Sequence, residues 1–150
     1  MKTNKSVTNH LLISKLRKQY PNIFLTEKKE GYQLEDNEKK MSFILIIDEY
    51  INIIKQNNKH IFNKIFKKNN LEILDCTGGF ARDASIIASL GNKVTLIEEN
   101  PLIMLILKNA ISKITNDEIR DNFKNIKTKF GNSLDYLRES KQKFDYIYLD

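Results

Sequence analysis

Residues 71–101 read LEILDCTGGFARDASIIASLGNKVTLIEENP, and this stretch decides the fold. A short apolar run ends in an aspartate, the chain breaks at the adjacent Gly78 and Gly79, and apolar residues at helical spacing follow. A second apolar run, KVTLIE, ends in Glu98, and Pro101 suits the first turn of another helix. A strand, a helix, a strand and a helix in this order predict parallel strands joined by right-handed crossovers.

The same alternation continues towards the last residue. The sequence predicts helices at residues 81–90 and 101–114, then a polar, charged link, a strand at NIKTKF, a short helix at residues 133–139 and a strand at FDYIYLD. Residues 69–150 are therefore predicted to form an α/β domain with a doubly wound parallel sheet of four strands.

Residues 1–68 lack this alternation and are predicted to form a small N-terminal α+β extension. We expect a helix at residues 7–19, two short strands joined by a polar turn around Gly31, and a strand MSFILIID that ends at Asp48. Residues 50–68 have the spacing of one amphipathic helix. Its basic face has two interpretations, contact with phosphate or a row of solvated lysines.

Composition limits the class of protein. With 150 residues, 41% of them hydrophobic, the chain supplies one core, and a single cysteine cannot cross-link it. The sequence has neither a signal-peptide pattern nor a run long enough to span a bilayer, so we expect a cytoplasmic protein without a membrane partner. The net charge of +6 favours a polyanionic partner, although the amino-acid bias of an A/T-rich genome would also produce it.

The glycine turn falls where doubly wound sheets bind ligands, at the carboxyl end of the first strand. Gly78 and Gly79 let the backbone turn tightly and approach a ligand, and the next helix points its free N–H groups at the same crevice. There is no G-x-G-x-x-G motif for a pyrophosphate, but Glu98 follows Asp75 by 23 residues, where an acid accepts hydrogen bonds from a ribose. We therefore expect an adenosine-type ligand without a pyrophosphate, and S-adenosylmethionine meets that description.

Each of these features also has a purely structural interpretation. Adjacent glycines after a strand are often only a turn, and an acid at the end of a strand is often a solvated helix cap. Glu99 in particular is a candidate cap for the helix that begins at Pro101. The order and spacing of the features along one chain favour the functional interpretation.

The stretch LDCTGGFARDASIIASLGNKVTLIEENP resembles the signature D-A-T-A-G-L-G-R-D-A-x-x-L-A-x-x-G-x-x-V-x-x-x-E-R-N-P of the RsmJ-type methyltransferases. That family methylates the exocyclic N2 amine of a guanosine in small-subunit (16S) ribosomal RNA and uses S-adenosylmethionine. The likeness extends more thinly from about Ile23 to the last residue. It implies a class I, Rossmann-like methyltransferase whose partner is the ribosomal RNA or the assembled small subunit, and it leaves the oligomeric state open.

The resemblance also assigns cofactor contacts position by position, namely to Arg82, Asp83, Glu98, Glu99, Asn132, Ser133 and Asp150. Asp75 and Gly78 join this set because they lie at the end of the first predicted strand and in the turn that follows it. The candidate cofactor-binding residues are thus Asp75, Gly78, Arg82, Asp83, Glu98, Glu99, Asn132, Ser133 and Asp150.

Several positions depart from the family pattern. Gly78 stands where the signature has an alanine, Ala81 stands where it has its second glycine, and Glu99 and Asn132 replace an arginine and a serine. The glycine- and arginine-rich segment that precedes the family's first strand reads IKQNNKHIFNKIF here, without glycines. The resemblance therefore supports cofactor binding more strongly than RNA contact by this segment.

Asp150 is the candidate catalytic residue. In the family the matching aspartate opens an Asp-Pro-Met-Phe/Tyr-Pro loop, which implies that it holds the guanine amine while an aromatic ring stacks on the base. Such an acceptor orients the amine and favours attack as positive charge develops on nitrogen. The alternative is a chain-terminal carboxylate without a role. Because four of the family's seven strands are present, we expect either a fragment or a shortened gene product.

The remaining residues with chemical potential have structural interpretations. Tyr146 and Tyr148 alternate with apolar residues in a predicted strand and are expected to pack in the core or on the sheet surface. Cys76 is expected to be a small buried residue without thiolate activation. His10 and His60 lack metal-ligand spacing to each other or to Cys76, so the sequence predicts no metal site.

Two hypotheses from other classes stay open at this point. One is a truncated, non-catalytic module that binds the cofactor or RNA without transferring a methyl group. The other is a different Rossmann-like protein, either an oxidoreductase or a methyltransferase of small molecules.

Overall fold

The computed structural model describes residues 13–56 and 61–150. Up to Leu45 these residues form one compact unit, with helix α1 at residues 13–19 and a three-stranded antiparallel sheet of order β1-β2-β3. The strands are β1 (Ile23–Glu27), β2 (Tyr32–Asp36) and β3 (Met41–Ile44). The predicted pair of strands around Gly31 is confirmed, and residues 7–12 of the predicted first helix lie outside the described residues.

The third strand is shorter than predicted. It ends at Ile44 rather than at Asp48, and Ile47–Glu49 form a 3-10 turn. The Asp48 carboxylate holds this turn, because it accepts hydrogen bonds from the backbone and hydroxyl of Thr115 and from the backbone N–H of Asn116. Burial works to raise the pKa of Asp48, but these hydrogen bonds outweigh it and leave the pKa below its usual value.

The described residues from Ile46 to Asp150 form a second compact unit around a parallel sheet of order β6-β5-β4-β7. All three pairings are parallel, and Ile73 lies opposite Val94 on one side and Tyr146 on the other. The predicted parallel α/β fold is therefore confirmed, and the carboxyl ends of its strands lie at one edge. The strands are β4 (Glu72–Asp75), β5 (Lys93–Glu98), β6 (Ile126–Phe130) and β7 (Tyr146–Tyr148).

The predicted helix at residues 50–68 is not continuous. Helix α2 (Tyr50–Lys55) ends at Gln56, and helix α3 (Ile61–Ile65) is separate from it. Two asparagines, which have low helix propensity, follow Gln56 in the sequence. Both helices lie in the same compact unit as the parallel sheet, and α2 packs on the helix that follows β4. The division of the structure after Leu45 therefore differs from the boundary predicted between residues 68 and 69.

Four further helices accompany the sheet: α4 (Arg82–Ser89), α5 (Pro101–Ser112), α6 (Asp117–Phe123) and α7 (Ser133–Glu139). Helix α6 lies where the sequence predicts only a polar link, so that prediction is wrong. Asn116 caps α6 by accepting a hydrogen bond from the Ile119 N–H, and the helix buries Ile119 and Phe123. These two apolar side chains, although they stand among charged residues, are enough to hold α6 against the core.

The core of this unit lies between the sheet and its helices. Burying one Leu or Ile side chain contributes roughly 1.5–3 kcal/mol, so this layer holds β4 and β5 firmly in place. The fully buried side chains of this core include Ile73, Leu74, Ile87, Leu96, Leu107 and Ile119.

No helix within residues 13–56 and 61–150 is both long and apolar enough to cross a bilayer.

Candidate active site

The turn after β4 runs hard against the next strand. The Gly78 N–H donates to the Ile97 carbonyl at 2.9 Å, and a Cβ atom on Gly78 would lie 2.3 Å from Leu96 Cδ2. Gly79 has a φ of +50° and Ala81 a φ of +63°, so two residues of the turn adopt the left-handed conformation. The glycine at position 78 is thus required by a close approach, and the one at position 79 is favoured by a left-handed conformation that Ala81 adopts at a cost.

Glu98 joins this turn to the end of β5. Its Oε2 atom accepts a hydrogen bond from the Gly79 N–H at 2.8 Å, and its Oε1 atom accepts one from the Asn100 N–H at 2.6 Å. The expectation that the glycine turn and Glu98 border one crevice is met. The idea that Glu99 caps the next helix is wrong, because the cap of α5 is Asn100.

A cavity of about 530 Å³ lies at this edge of the sheet, within the size range of small-ligand sites. Four of the predicted site residues line it together, namely Glu98, Glu99, Asn132 and Ser133, and Gly79 of the turn lies beside them. Gly78, which the sequence analysis assigned to the site, is not among the residues that line the cavity. The sequence analysis did not assign its other principal lining residues to the site, and these are Cys76, Thr77, Ile97, Leu134 and Leu149. The carboxylates of Glu98 and Glu99 thus line the same cavity as the side chains of Ile97, Leu134 and Leu149.

Asn132 organises the far wall of the cavity. Its Oδ1 atom accepts hydrogen bonds from the backbone N–H groups of Leu134 and Asp135, which caps α7. Its Nδ2 atom donates to Glu99 Oε2 at 2.8 Å. A serine, which the family has at this position, would cap the helix through its hydroxyl but has no amide N–H to donate to Glu99. The two residues that depart from the family pattern at positions 99 and 132 thus contact each other.

Asp75 lies beneath the crevice and is only 1% exposed. Its Oδ1 atom accepts hydrogen bonds from the N–H and the hydroxyl of Thr77, and the same hydroxyl accepts one from the backbone N–H of Asp150. Burial, and then the charges of Asp83 and Asp150, raise the pKa of Asp75 to about 6. Thr77 therefore connects the cavity wall to the Asp75 carboxylate and to the backbone of Asp150.

The Asp83 side chain, in the first turn of α4, is bound by a residue of strand β7. The Tyr148 hydroxyl donates to Asp83 Oδ2 at 2.7 Å. The Tyr148 ring also packs edge-on against Phe62, with centroids 5.2 Å apart, so the prediction that it packs is confirmed but misses its hydroxyl. Arg82 is exposed and is not among the residues that line the cavity.

Cys76 is half-buried and faces the cavity rather than the core, unlike the prediction. Burial raises the pKa of its thiol, and hydrogen bonding with Ser133 offsets only part of that effect. Within the described residues no three His, Cys, Asp or Glu side chains are grouped as a metal site, and His10 and His60 lie outside those residues.

Comparisons with known proteins agree on the class. The sequence profile of the SAM-dependent methyltransferase family matches residues 52–150. Proteins named ribosomal RNA small subunit methyltransferase J, from Shewanella sediminis and Coxiella burnetii, are 34% and 39% identical over 83 and 80 residues. These matches cover 54% and 52% of this chain but only 32% and 30% of those relatives, and they confirm the resemblance to the RsmJ-type enzymes.

A solved structure shows the same fold. The crystal structure of a SAM-dependent methyltransferase from Neisseria gonorrhoeae superposes with a TM-score of 0.69 at 23% sequence identity. The match covers 92% of this chain and 64% of that one. Since the family profile spans the whole parallel sheet and the crevice at its carboxyl edge, the chain belongs to the family of S-adenosylmethionine-dependent methyltransferases.

Proposed function

We propose that this protein transfers a methyl group from S-adenosylmethionine to the exocyclic N2 amine of a guanosine in small-subunit ribosomal RNA. The observation that carries the proposal is the contact of Glu98 with the glycine turn, which gives one cavity an acid at its floor and apolar walls. The names of the relatives from Shewanella and Coxiella support the choice of RNA. The net charge of +6 suits a polyanionic substrate.

The residues present fit the three parts of the proposed cofactor. A carboxylate has about four acceptor sites, so Glu98 keeps capacity for ribose hydroxyls after it has bound two backbone amides. Ile97, Leu134 and Leu149 offer an apolar surface for a purine. The ammonium group of the zwitterionic amino-acid end suits a carboxylate, and the resemblance assigns Asp83 and Asp150 to contacts with the cofactor.

Bound there, S-adenosylmethionine supplies an electrophilic methyl group on a sulfonium. A guanine amine is a weak nucleophile because its lone pair is delocalised, so positioning supplies much of the rate. We assign to Asp150 the role of accepting hydrogen bonds from that amine. Its backbone N–H is fixed to the Thr77 hydroxyl at 3.0 Å, which ties it to the end of β4 beside the cavity. An anchored acceptor favours attack as positive charge develops on nitrogen.

The first experiment is calorimetric titration of the 150-residue chain with S-adenosylhomocysteine, with NADH as the comparison ligand. Binding of the first and not of the second supports the proposed cofactor; the opposite pattern would identify an oxidoreductase. Transfer of tritiated methyl groups to small-subunit RNA, measured against small acceptor amines, then tests the substrate. Binding without transfer to either acceptor would favour the non-catalytic module.

A further inference from the structure

The lining of the candidate active site carries negative charge. Within the described part of the chain it includes the carboxylates of Glu98 and Glu99 and no lysine or arginine. An RNA strand carries a negative charge at each phosphate, so this lining repels the polyanion on which the protein is proposed to act. The cations that hold an RNA therefore lie elsewhere on a chain whose net charge is +6.

A second, open groove of about 530 Å³ lies at the amino ends of the parallel strands. Asn69 stands three residues before β4, and Leu90 stands three residues before β5. The Asn70 N–H donates to the Gly91 carbonyl at 2.8 Å and holds these two approaches together. This groove, called here the amino-edge groove, is lined by Asn63, Phe66, Lys67, Lys68, Asn69 and Leu90.

Aromatic packing fixes the floor of the amino-edge groove. The buried Phe66 ring meets Tyr146 of β7 edge-on, with centroids 5.2 Å apart, and lies 5.7 Å from the Phe62 ring. The Phe66 N–H also donates to the Phe62 carbonyl at 2.8 Å. The lysines that follow Phe66 directly in the chain therefore start from a position that is fixed relative to the parallel sheet.

Every polar side chain that lines the amino-edge groove is a hydrogen-bond donor. Lys67 and Lys68 each carry an ammonium group, while Asn63 and Asn69 each carry an amide N–H₂ group. All four residues are exposed, and no carboxylate of the described residues lines the groove. This chemistry suits a ligand whose oxygens are acceptors and whose charge is negative, as the oxygens of a phosphate are.

The two lysines of the groove are available to an external anion. Within residues 13–56 and 61–150 neither Lys67 nor Lys68 forms an ion pair. Lys93, at the start of β5, is by contrast paired with Glu72 at 3.2 Å. An unpaired ammonium group releases no intramolecular partner when it binds a phosphate, so its full charge contributes to binding.

We propose that the amino-edge groove binds the phosphate backbone of the substrate RNA, with Lys67 and Lys68 each neutralising one phosphate. This inference rests on the proposed function and adds to it a substrate contact remote from the cavity. Lysine contacts to phosphates fix the position of a nucleic acid without reading its sequence. The groove thus supplies the attraction that the acidic cavity lining does not.

The distance between the two places sets a minimum length for the RNA. Residues 71–76 run from the amino-edge groove to the cavity and span roughly 15–20 Å, at about 3.3 Å per residue. A stacked strand advances about 3.4 Å per nucleotide, so an acceptor that reaches both must extend at least about five nucleotides. A single guanosine nucleotide reaches only one of them.

The experiment measures binding of a fluorescent RNA of about 20 nucleotides, well above this minimum length, by anisotropy at several salt concentrations. Lys67→Gln combined with Lys68→Gln should bind roughly tenfold more weakly at low salt. The slope of log K against log salt should fall by about 1.4, since each phosphate contact to a single strand contributes about 0.7. Lys67→Arg combined with Lys68→Arg should restore both, because arginine keeps the charge.

The chain offers a control of equal charge. Lys108 on α5 is exposed, lines neither the groove nor the cavity, and forms no ion pair with the described residues. Lys108→Glu lowers the net charge by two, as the double glutamine variant does, and should leave RNA affinity within about twofold. Affinity for S-adenosylhomocysteine should be the same in all variants, because the groove shares no residue with the cavity.

Lysine acetylation followed by mass spectrometry locates the contact in the parent chain. Bound RNA should protect Lys67 and Lys68 and leave Lys108 reactive. This footprint decides the matter if thermal melting shows that the double variant does not fold. Reactivity of Lys67 and Lys68 that RNA does not change would overturn the inference.

Three other results would also overturn it. One is equal weakening by Lys108→Glu and by the double glutamine variant, because RNA binding would then follow net charge alone. Another is unchanged RNA affinity and salt slope in the double variant. A third is displacement of RNA by polyglutamate at equal charge concentration, which would make the groove a site for acidic protein segments. Each of these leaves binding of S-adenosylhomocysteine intact, whereas loss of that binding in the parent chain would count against the proposed function instead.

Discussion

The Gly79 N–H and Glu98 Oε2 lie 2.8 Å apart in a charge-assisted hydrogen bond, so the acid at the end of β5 organises the turn that follows β4. The same carboxylate accepts from Asn100. Glu98 therefore shapes the backbone of the crevice, and in the proposed function it also presents acceptor oxygens to the cofactor. A solvated helix cap would have only the contact to Asn100.

Glu98→Ala is expected to weaken binding of S-adenosylhomocysteine by roughly tenfold to a hundredfold and to lower the free energy of unfolding by about 1–3 kcal/mol. Glu98→Gln should be intermediate, because one oxygen still accepts from a backbone amide and the other is replaced by a donor. Calorimetry and urea unfolding measure the two effects. Glu118→Ala, which removes an exposed carboxylate paired with Lys55, is the control and should change neither.

Ala81 is expected to carry backbone strain. It is fully buried at a φ of +63°, and an alanine there costs roughly 1–2 kcal/mol relative to a residue without a Cβ atom. Ala81→Gly removes this strain but also a buried methyl group. Ala84→Gly in α4 removes an equally buried methyl group from ordinary helical backbone.

The two unfolding free energies should therefore differ, with Ala81→Gly the more stable variant by about 1.5–3 kcal/mol, because strain is relieved at Ala81 and helix propensity is lost at Ala84. Urea unfolding measures both. Equal destabilisation would mean that the turn at Ala81 is relaxed. The family signature has a glycine at this position, which agrees with the backbone conformation found here.

Asp75 should make stability fall as pH rises. The pKa of Asp75 is about 6 in the folded chain and 3.8 in the unfolded chain. Between these two pH values the folded chain therefore holds a proton that the unfolded chain has lost. The free energy of unfolding is thus larger at low pH. As pH rises from about 4 to above 6, the contribution of Asp75 to it falls by up to about 3 kcal/mol.

Asp75→Asn keeps an oxygen to accept from Thr77 and has no charge to bury. Relative to the parent chain, the variant should therefore gain stability between pH 4 and pH 7 in urea unfolding. The comparison is made as a difference between the two proteins because other carboxylates, such as Asp48, also titrate at low pH. Parallel pH profiles would contradict the burial of a proton at Asp75.

Cys76 should react slowly with alkylating agents. Burial raises the pKa of its thiol, so little thiolate is present at neutral pH. Iodoacetamide labelling, followed by mass spectrometry, should be at least roughly tenfold slower than that of free cysteine at pH 7.5 and should speed up at higher pH. The chain has one cysteine, so the readout is unambiguous.

The same labelling also tests the cavity. Because Cys76 lines it, saturation with S-adenosylhomocysteine should protect the thiol, whereas NADH should not. Labelling at an unchanged rate in the presence of a ligand that calorimetry shows to be bound would move the ligand to another part of the surface.

The parallel pairing of the strands and the neighbourhood of the glycine turn and Glu98 were predictable because they follow from local patterns. Apolar runs separated by helical spacing specify parallel strands, and parallel strands bring their carboxyl ends to one edge. The cap at Asn100 was also within reach, since an asparagine directly before a proline is typical of a helix start. Helix α6 was not predicted because only two residues, Ile119 and Phe123, form its apolar face, which is too few to show a helical period in the sequence.

Contacts between distant side chains leave no such pattern. The Tyr148 hydroxyl and Asp83 are 65 residues apart, and Asp48 reaches Thr115 across 67 residues. Nothing in local periodicity distinguishes a tyrosine that only packs from one that also donates to a carboxylate. Only the strand pairing indicates this contact. Because β7 pairs with β4, the last residues of β7 lie next to the glycine turn that follows β4.

The strand order β6-β5-β4-β7 also sets the sequence of assembly. Glu72 of β4 finds Lys93 of β5 within 21 residues, whereas the Asp145 side chain that bonds the Glu72 N–H lies 73 residues away. Closing the shorter loop costs less entropy, so β4 and β5 are expected to pair early during synthesis, while the other side of β4 waits for β7. The contact of Asp83 with the Tyr148 hydroxyl is thus among the last that a nascent chain completes.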